Sequence, residues 1–470
     1  MKITTSKAEL SGEIQVPGSK SHTIRALLLA TLAEGTSHIS NPLPSADCLS
    51  TSRAVPLIGA DVDIAETTAA DGTTIPGNMW TVVGAGNKVH LPNNVVDVGD
   101  SGSLLYFMSP IAATFDGWSV FTGDESIRKR PVVHVVDALR QLGAEAYITR
   151  PDSDACPMVI KGPISADHTV TTDGRLSQYV SGMMMAAVRL NGTLHIELTD
   201  PMETPYLTMT KKWLESVGVP VTISQDFKHI TVTGPVQLKA FDKTIPSDWE
   251  AVAFPLIASL VTNSEVTITD IDGSGTQGDD AVVSILQSLG ADIEWNKKDA
   301  TLTVRGLQKS HDGIGRLSTE RLPGNALHIK MSGFPDAICA LAVISCFVEG
   351  TVYLEDATVC RKKETDRIVV LREQLTRLGA SVEEGKDFLV IHGHAPMTAD
   401  GKPNSAFALH GGEVESYGDH RIAMSLACLG LGLAGGEHVV VKDAECCAVS
   451  FPHFFDKMNS IGANYICVNK

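Results

Sequence analysis

One phrase recurs six times along this chain: the apolar end of a helix, a glycine, and then a short alternating strand. It reads PLIGADVDI around Gly59, RQLGAEAYI around Gly143, ESVGVPVTI around Gly218, QSLGADIEW around Gly290, TRLGASVEE around Gly379 and NSIGANYIC around Gly462. Successive glycines stand 84, 75, 72, 89 and 83 residues apart, a regularity that marks structural repeats rather than chance αβ corners. Glycine directly after a helix suits the C′ position, where φ is positive, and the alternation that follows suits a half-buried strand.

About half a repeat before each such phrase runs a second helical stretch, as in TIRALLLATLAEG, QYVSGMMMAAVRLNG, EAVAFPLIASLVTN, FPDAICALAVISCFVEG and HRIAMSLACLGLGLAGG. These helices are apolar on nearly every side and belong inside, whereas VVHVVDALRQLG keeps a polar face. The expectation is six α+β units, each with one buried and one flanking helix. A solenoid or one long α/β barrel is the structural alternative, and the barrel would need eight units. At 470 residues and 43% hydrophobic, the chain is long enough for two domains.

Charge and cysteine usage exclude several function classes. The net charge of −17 makes the surface as a whole repel nucleic acid and anionic membrane. No stretch of about 18 apolar residues is present, and the start MKITTSKAEL has no signal-peptide core, so a cytoplasmic location is expected. The nine cysteines form neither CxxC pairs nor metal-ligand spacings and are read as reduced thiols.

Any binding of small anions must therefore be local, which directs attention to Lys and Arg in unusual contexts. In VPGSKSHTIRALLLATLAEG, Pro17 and Gly18 break the strand GEIQV, and Ser19 or Ser21 is placed to cap the buried helix. Lys20 then stands at a helix N-terminus, where backbone N–H groups favour an anion. A lone Lys there commonly snorkels, but Arg25, on the same face as Ser21, is costly inside an apolar helix unless paired. In TGDESIRKRPVVHVVDALRQLGA, Arg128, Lys129 and Arg130 precede Pro131, which suits the first turn of a helix. Cations there oppose the helix dipole, so either an anion relieves them or they form a solvated charge run.

Three further segments carry charge into helices. In CRKKETDRIVVLREQLTRLGA, Lys363, Glu364 and Arg367 are spaced as a mixed-charge ridge on one side of a helix, as ordinary surface ion pairs also are. ESYGDHRIAMSLACLGLGLAGG puts Arg421 at the start of an apolar helix, with Asp419 positioned to cap it. SGFPDAICALAV carries Asp336 into another, where an N-terminal carboxylate is common. Ser177 and Gln178, in RLSQYVSGMMMAAVRL, offer donors to an anion at a further helix start.

These motifs, with KETDR and GDHRIAM the most specific of them, resemble the enolpyruvyl transferases, and within them the 3-phosphoshikimate 1-carboxyvinyltransferase (EPSP synthase) family, over almost the whole chain. The resemblance implies an α+β fold of two inside-out α/β barrel domains built from six βαβαββ repeats, three per domain. One domain would span 18–241 and the other 1–17 plus 242–470, joined by two crossover hinges, with substrates in the interdomain cleft. The implied reaction moves the enolpyruvyl group of phosphoenolpyruvate onto the 5-hydroxyl of shikimate 3-phosphate, releasing phosphate, with no metal, no cofactor and a monomeric enzyme.

By the same resemblance, Lys20 touches both substrates, and Ser21, Arg25, Ser177, Gln178 and Tyr206 lie around the acceptor. Gly102 belongs to a substrate-binding loop, and Arg130, Arg367 and Arg421 grip phosphoenolpyruvate. Lys363 and Glu364 lie beside the reacting carbon. Glu364, helped by Lys20, is the acid that protonates C3, and Asp336 is the base for the acceptor hydroxyl.

The chain departs from the family pattern at several positions. A C-terminal Lys becomes Val449, and the loop Asn-x-Gly-Thr-x-x-Arg becomes Asp100-Ser-Gly-Ser-x-x-Tyr106. Leu176, Glu203 and Val359 replace polar residues near the acceptor. Either Arg175 offsets Glu203 or the acceptor is a different one. Alternatives are thus a paralogue with another acceptor and a non-catalytic anion-binding homologue, the latter opposed by retention of Asp336 and Glu364. The related transferases acting on a nucleotide sugar generally use a loop Cys, which GDESIRKRP lacks. Gly273-x-Gly275-x-x-Gly278, with Glu294 beyond it, formally fits a dinucleotide fingerprint, which would demand a parallel βαβαβ order.

Overall fold

The computed structural model describes residues 1–68, 74–306 and 316–468. The chain divides into two compact units, one formed by Met1–Pro17 with Ser247–Lys470 and the other by Gly18–Pro246. The second crossing falls at Pro246/Ser247 rather than near Phe241. Asp242–Thr244 is a strand whose residues pair in parallel with His38 to Ser40 of the strand Ala33–Ser40, and this ties the segment to the second unit.

Six small mixed sheets, three in each unit, share one internal order. In the unit Gly18–Pro246, Val96–Asp97 runs parallel to Gly117–Thr122, which is antiparallel to Met158–Gly162, which carries antiparallel Glu145–Ile148 at the far edge. The same parallel, antiparallel, antiparallel sequence holds for Thr169–Thr172, Gly192–Leu198, His229–Gly234 and Val221–Ile223. Three sheets are completed by strands from far along the chain. Lys2–Ser6 inserts between His438–Lys442 and Tyr465–Val468. Ser11–Gln15 lies parallel to Glu265–Thr269, and Leu238–Lys239 together with Asp242–Thr244 borders Ala33–Ser40. The units are therefore closed by their own crossing segments, at a loop-closure cost that grows only slowly with chain length.

All six glycines of the recurring phrase adopt positive φ, between 87° at Gly218 and 107° at Gly59. Each follows its helix directly and begins the turn into the outer hairpin, a conformation in which a Cβ is disfavoured. The inner helices are buried as their composition requires. Every residue of Trp249–Val261, Ile338–Ser345 and His420–Leu431 is buried in one unit, and every residue of Gly102–Ala112 in the other. Each unit has its own apolar core, built on these helices and the inward faces of its sheets. Burying one Leu or Ile side chain there contributes about 1.5–3 kcal/mol. Among the described residues, no helix is long and apolar enough to cross a membrane.

Candidate active site

The three buried helices of each unit start from equivalent positions, and the residue two places beyond each N-cap occupies the same station in the repeat. In the unit containing the C-terminus these residues are Glu250, Asp336 and Arg421, after the N-caps Asp248, Phe334 and Asp419. Asp248 and Asp419 cap identically, each Oδ1 accepting from the backbone N–H two residues on at 3.0 Å. Helix N-termini carry partial positive charge and unsatisfied N–H groups, so three of them in one unit favour anionic groups.

Carboxylates and cations interlock at this end. Arg421 pairs with Glu250 through Nη2, and its Nε lies 3.3 Å from Asp336 Oδ1. Arg367, fully buried, donates from Nε to Asp419 Oδ2 at 2.9 Å, from Nη1 to Asp336 Oδ1 at 2.6 Å and from Nη2 to Glu364 Oε2 at 2.7 Å. Lys363 Nζ reaches Asp336 Oδ2 at 3.2 Å. Burial alone would raise the Asp336 carboxyl, but Lys363, Arg421 and Arg367 override it and hold the group well below the ordinary carboxylate range. Asp279 responds in the opposite sense. Burial, with the neighbouring charges of Glu250 and Asp336, pushes it well above that range.

The expected helical ridge is corrected in detail. Lys363 and Glu364 precede the helix Arg367–Arg377, whose N-cap is Asp366, and only Arg367 of the three is helical. The pairing survives because the turn before the helix brings Glu364 back onto the Arg367 guanidinium.

In the unit Gly18–Pro246 the equivalent residues are Ser21, Ser103 and Gln178, all uncharged, after the N-caps Ser19, Ser101 and Leu176. Gln178 Nε2 donates to Ser103 Oγ at 3.0 Å. Ser19 holds the cap position of Lys20–Leu32 but makes no side-chain capping bond. Lys20 Nζ lies 3.7 Å from Asp47 Oδ2. Arg25 is 1% exposed, and its hydrogen-bond partners are neutral. Nε donates to Thr210 Oγ1 at 2.8 Å, Nη1 to the Ser21 carbonyl at 2.9 Å, and Nη2 to Ser181 Oγ and the Tyr206 carbonyl, both at 3.4 Å. Burial lowers its pKa to about 9. A buried guanidinium with such partners is a ready receptor for an anionic group.

Arg130 packs against Gly102, where a Cβ would meet its Nη1 and the arginine side chain would have to shift. Pro131 is not in the first turn of a helix as expected. It forms a bridge with Ala155, and the helix Val133–Gln141 begins beyond it. Lys129 is tied to Glu125 in an exposed pair, and Arg128 donates to the Gly123 carbonyl.

Glu203 is also resolved differently from expectation. Arg175 pairs with Asp200 at 2.8 Å, while Glu203 Oε2 accepts from the Ser177 backbone N–H at 3.0 Å and from Ser177 Oγ at 2.9 Å. A built-in carboxylate thus sits on the start of the helix Ser177–Ala186. Sequence reasoning missed Glu250, Asp419 as a partner of Arg367, Asp47, Ser103, Ser181 and Thr210. A signal for the first existed, because Asp248-x-Glu250 before an apolar helix repeats the pattern of Asp419-x-Arg421.

Similarity to known proteins agrees with this arrangement along the full chain. The family model described as EPSP synthase (3-phosphoshikimate 1-carboxyvinyltransferase) matches residues 4–458. This chain belongs to the EPSP synthase family. Relatives named 3-phosphoshikimate 1-carboxyvinyltransferase include one from Ruminiclostridium cellulolyticum, 36% identical over 462 residues, covering 98% of this chain and 99% of that one. Another, from Acetivibrio thermocellus, is 34% identical over 464 residues and covers 99% of each. The solved EPSP synthase of Acinetobacter baumannii shares the fold, with a TM-score of 0.78, 24% identity and 99% of each chain covered.

Set in the EPSP synthase family, the departures acquire structural context. Tyr106, in place of an Arg, is buried and donates its hydroxyl to the Pro131 carbonyl at 2.8 Å, which anchors the segment after Arg130. Asp100, in place of an Asn, is pushed up to about 6 by burial and by Asp47, with Lys20 acting in the other direction. Val359 is buried in the turn Thr358–Lys362, and Val449 ends the turn Ala444–Val449. The dinucleotide reading fails on topology. The strand Ile293–Asn296 after Gly278 is an antiparallel hairpin partner, not a parallel neighbour, and Glu294 is paired with Arg305.

Proposed function

We propose that this EPSP synthase family member transfers the enolpyruvyl group of phosphoenolpyruvate to the 5-hydroxyl of shikimate 3-phosphate, releasing phosphate, as a step of the shikimate pathway to aromatic amino acids. The observation that carries the reading is the buried interlock of Asp336 with Lys363, Arg367 and Arg421 at helix starts, in a chain that matches the family from end to end. The two units are read as inside-out α/β barrels of three βαβαββ repeats each, both contributing residues to the same reaction. The enzyme is read as a cytoplasmic monomer.

Glu364 protonates C3 of phosphoenolpyruvate, with Lys20 as its helper, and C2 becomes electrophilic. Asp336 takes the proton from the acceptor hydroxyl, whose oxygen bonds to C2 to give a tetrahedral adduct. Loss of a proton from C3 and of phosphate from C2 restores the double bond, so atoms and charge balance with acid, base and cationic groups alone. Arg130, Arg367 and Arg421 supply preorganised positive charge to the departing phosphate. Ser21, Arg25, Ser177, Gln178 and Tyr206 position the acceptor, and Gly102 lets Arg130 approach the substrate loop.

A carboxylate held as low as Asp336 is a poor base in the free protein. Anionic groups of phosphoenolpyruvate that engage Lys363, Arg367 and Arg421 weaken their hold on Asp336 and raise its proton affinity, so the base is armed by substrate. The test is phosphate release on mixing the protein with both substrates. Release only when both are present supports the reading. Release with another hydroxylated acid but not with shikimate 3-phosphate identifies a paralogue instead, and no release with any acceptor overturns it.

A further inference from the structure

Arg421 is 2% exposed, and before substrate arrives its buried charge needs a resident anion. Burial works against that charge, and Glu250, ahead of Asp336, overrides it and keeps the guanidinium firmly protonated. The two carboxylates are not equivalent. Asp336 Oδ1 lies 3.3 Å from Arg421 Nε, but that Nε makes no hydrogen bond among the described residues, and Asp336 is also paired with Lys363 and Arg367. Glu250 accepts a hydrogen bond from Arg421 Nη2 and, at 9% exposed, is the more accessible of that pair.

The backbone that carries Glu250 is fixed from behind. The Trp249 N–H donates to Gln277 Oε1 at 2.9 Å, and Trp249 Nε1 donates to the Asp272 carbonyl at 2.8 Å. Gln277 Nε2 in turn donates to the Ser247 carbonyl and to Asp272 Oδ2, both at 2.8 Å. With the helix start anchored in this way, Glu250 can leave Arg421 by turning its own side chain, and the helix need not shift. Directly after Gln277 comes the turn Gly278–Asp280, in which Asp279 is 1% exposed. Burial, then the charges of Glu250 and Asp336, keeps the Asp279 carboxyl protonated. A protonated carboxyl is a hydrogen-bond donor, and it gives a displaced Glu250 carboxylate a neighbour other than Arg421.

We propose that Glu250 is a latch on Arg421: its carboxylate occupies the guanidinium until an anionic group of phosphoenolpyruvate displaces it, and so it sets the affinity for that substrate. Glu250 acts through Arg421 and is a positioning residue. The inference rests on the reading that phosphoenolpyruvate engages Arg421. Its test is the equilibrium binding of phosphoenolpyruvate to the full chain by calorimetry, with phosphate release followed separately. Glu250→Gln keeps the shape and removes the competing charge, and is expected to tighten binding by about tenfold or more, the range of a charge-assisted hydrogen bond. Glu250→Asp keeps the charge but is one methylene too short to reach Arg421, and is expected to tighten binding by about threefold or more. In turnover the gain falls on KM for phosphoenolpyruvate more than on kcat. If Glu250→Gln fails to fold by circular dichroism, Glu250→Asp decides the matter. Tighter binding only in Glu250→Gln means a field effect without displacement and overturns the latch, as do unchanged or weaker binding in both variants and no binding to any of the three proteins. Tighter binding in both variants without phosphate release upholds the latch and overturns the transferase reading alone.

Discussion

The same three stations of the repeat carry Glu250, Asp336 and Arg421 in one unit and Ser21, Ser103 and Gln178 in the other. Both triplets stand on helix N-termini, so the backbone contributes a similar field in each. The side chains divide the work. In the first unit every cation named for the site already has a carboxylate partner, and an incoming anion must compete with Asp336, Glu364, Asp419 and Glu250. In the second, Arg25 is held by neutral oxygens alone. The charged triplet is suited to chemistry, since exchanging an internal anion for a substrate anion shifts proton affinities. The neutral one is suited to holding, since binding an anion there displaces no ion pair of Arg25.

The comparison breaks most decisively at Arg367. Arg367→Met leaves Asp419, which is 0% exposed, without its cation and removes one of the three cations that hold Asp336. Breaking such a buried pair from one side costs about 3–5 kcal/mol, so chemical denaturation is expected to show a loss of that order, together with loss of phosphate release. A variant as stable as the parent would mean that the interlock is not an internal charge balance.

Arg25→Met is expected to behave in the opposite way. Burial lowers the pKa of Arg25 to about 9, so the charged side chain costs the folded state free energy at every pH below about 9, easing only above it. Several hydrogen bonds offset that cost in part. The substitution should therefore change stability at pH 7 by no more than about 1 kcal/mol, while KM for shikimate 3-phosphate rises about ten- to a hundredfold with kcat less affected. A large loss of stability with unchanged KM would make Arg25 a structural residue.

Asp100→Asn sharpens the comparison within the second unit, where the unwelcome charge is a carboxylate. The folded-state pKa of about 6 lies above the ordinary 3.8. The ionised group is thus unfavourable in the native state when the pH exceeds about 6, and the penalty fades as pH falls towards 3.8, where both states are protonated. Asp100→Asn should stabilise the protein by about 1–2 kcal/mol at pH 8, after discounting for partial solvent screening, and by nothing measurable near pH 3.5. Thermal unfolding at the two pH values checks both the size and the sign.

What could be read from the sequence and what could not follow from how far each signal reaches along the chain. The positive φ of Gly59 and its five counterparts is a local matter of helix followed by hairpin, and the phrase around each glycine encoded it. Asp419 as the cap of the Arg421 helix was legible for the same reason. The partners of Arg367 and Arg421 were not, because Asp336, Asp419 and Glu250 come from separate repeats and meet only through packing. Glu203 misled because the cation expected to offset it, Arg175, is drawn to Asp200, while the N–H and hydroxyl of Ser177 satisfy it instead. Lys363 and Glu364 misled because helical spacing was assumed across a turn that Asp366 caps.

A last difference concerns the glycines themselves, and it again separates the units. At Gly143, φ is 99° and a built Cβ would meet nothing within 4 Å. Gly143→Ala therefore isolates the backbone cost of a left-handed residue, about 1–2 kcal/mol. At Gly379, φ is 90°, but a Cβ would also strike the Ala408 carbonyl oxygen and approach the His410 ring. Gly379→Ala carries the same backbone term plus the displacement of that carbonyl, and should cost clearly more. Equal losses in urea unfolding would show that the segment around Ala408 yields freely, and that the repeat is held at this point by backbone conformation alone.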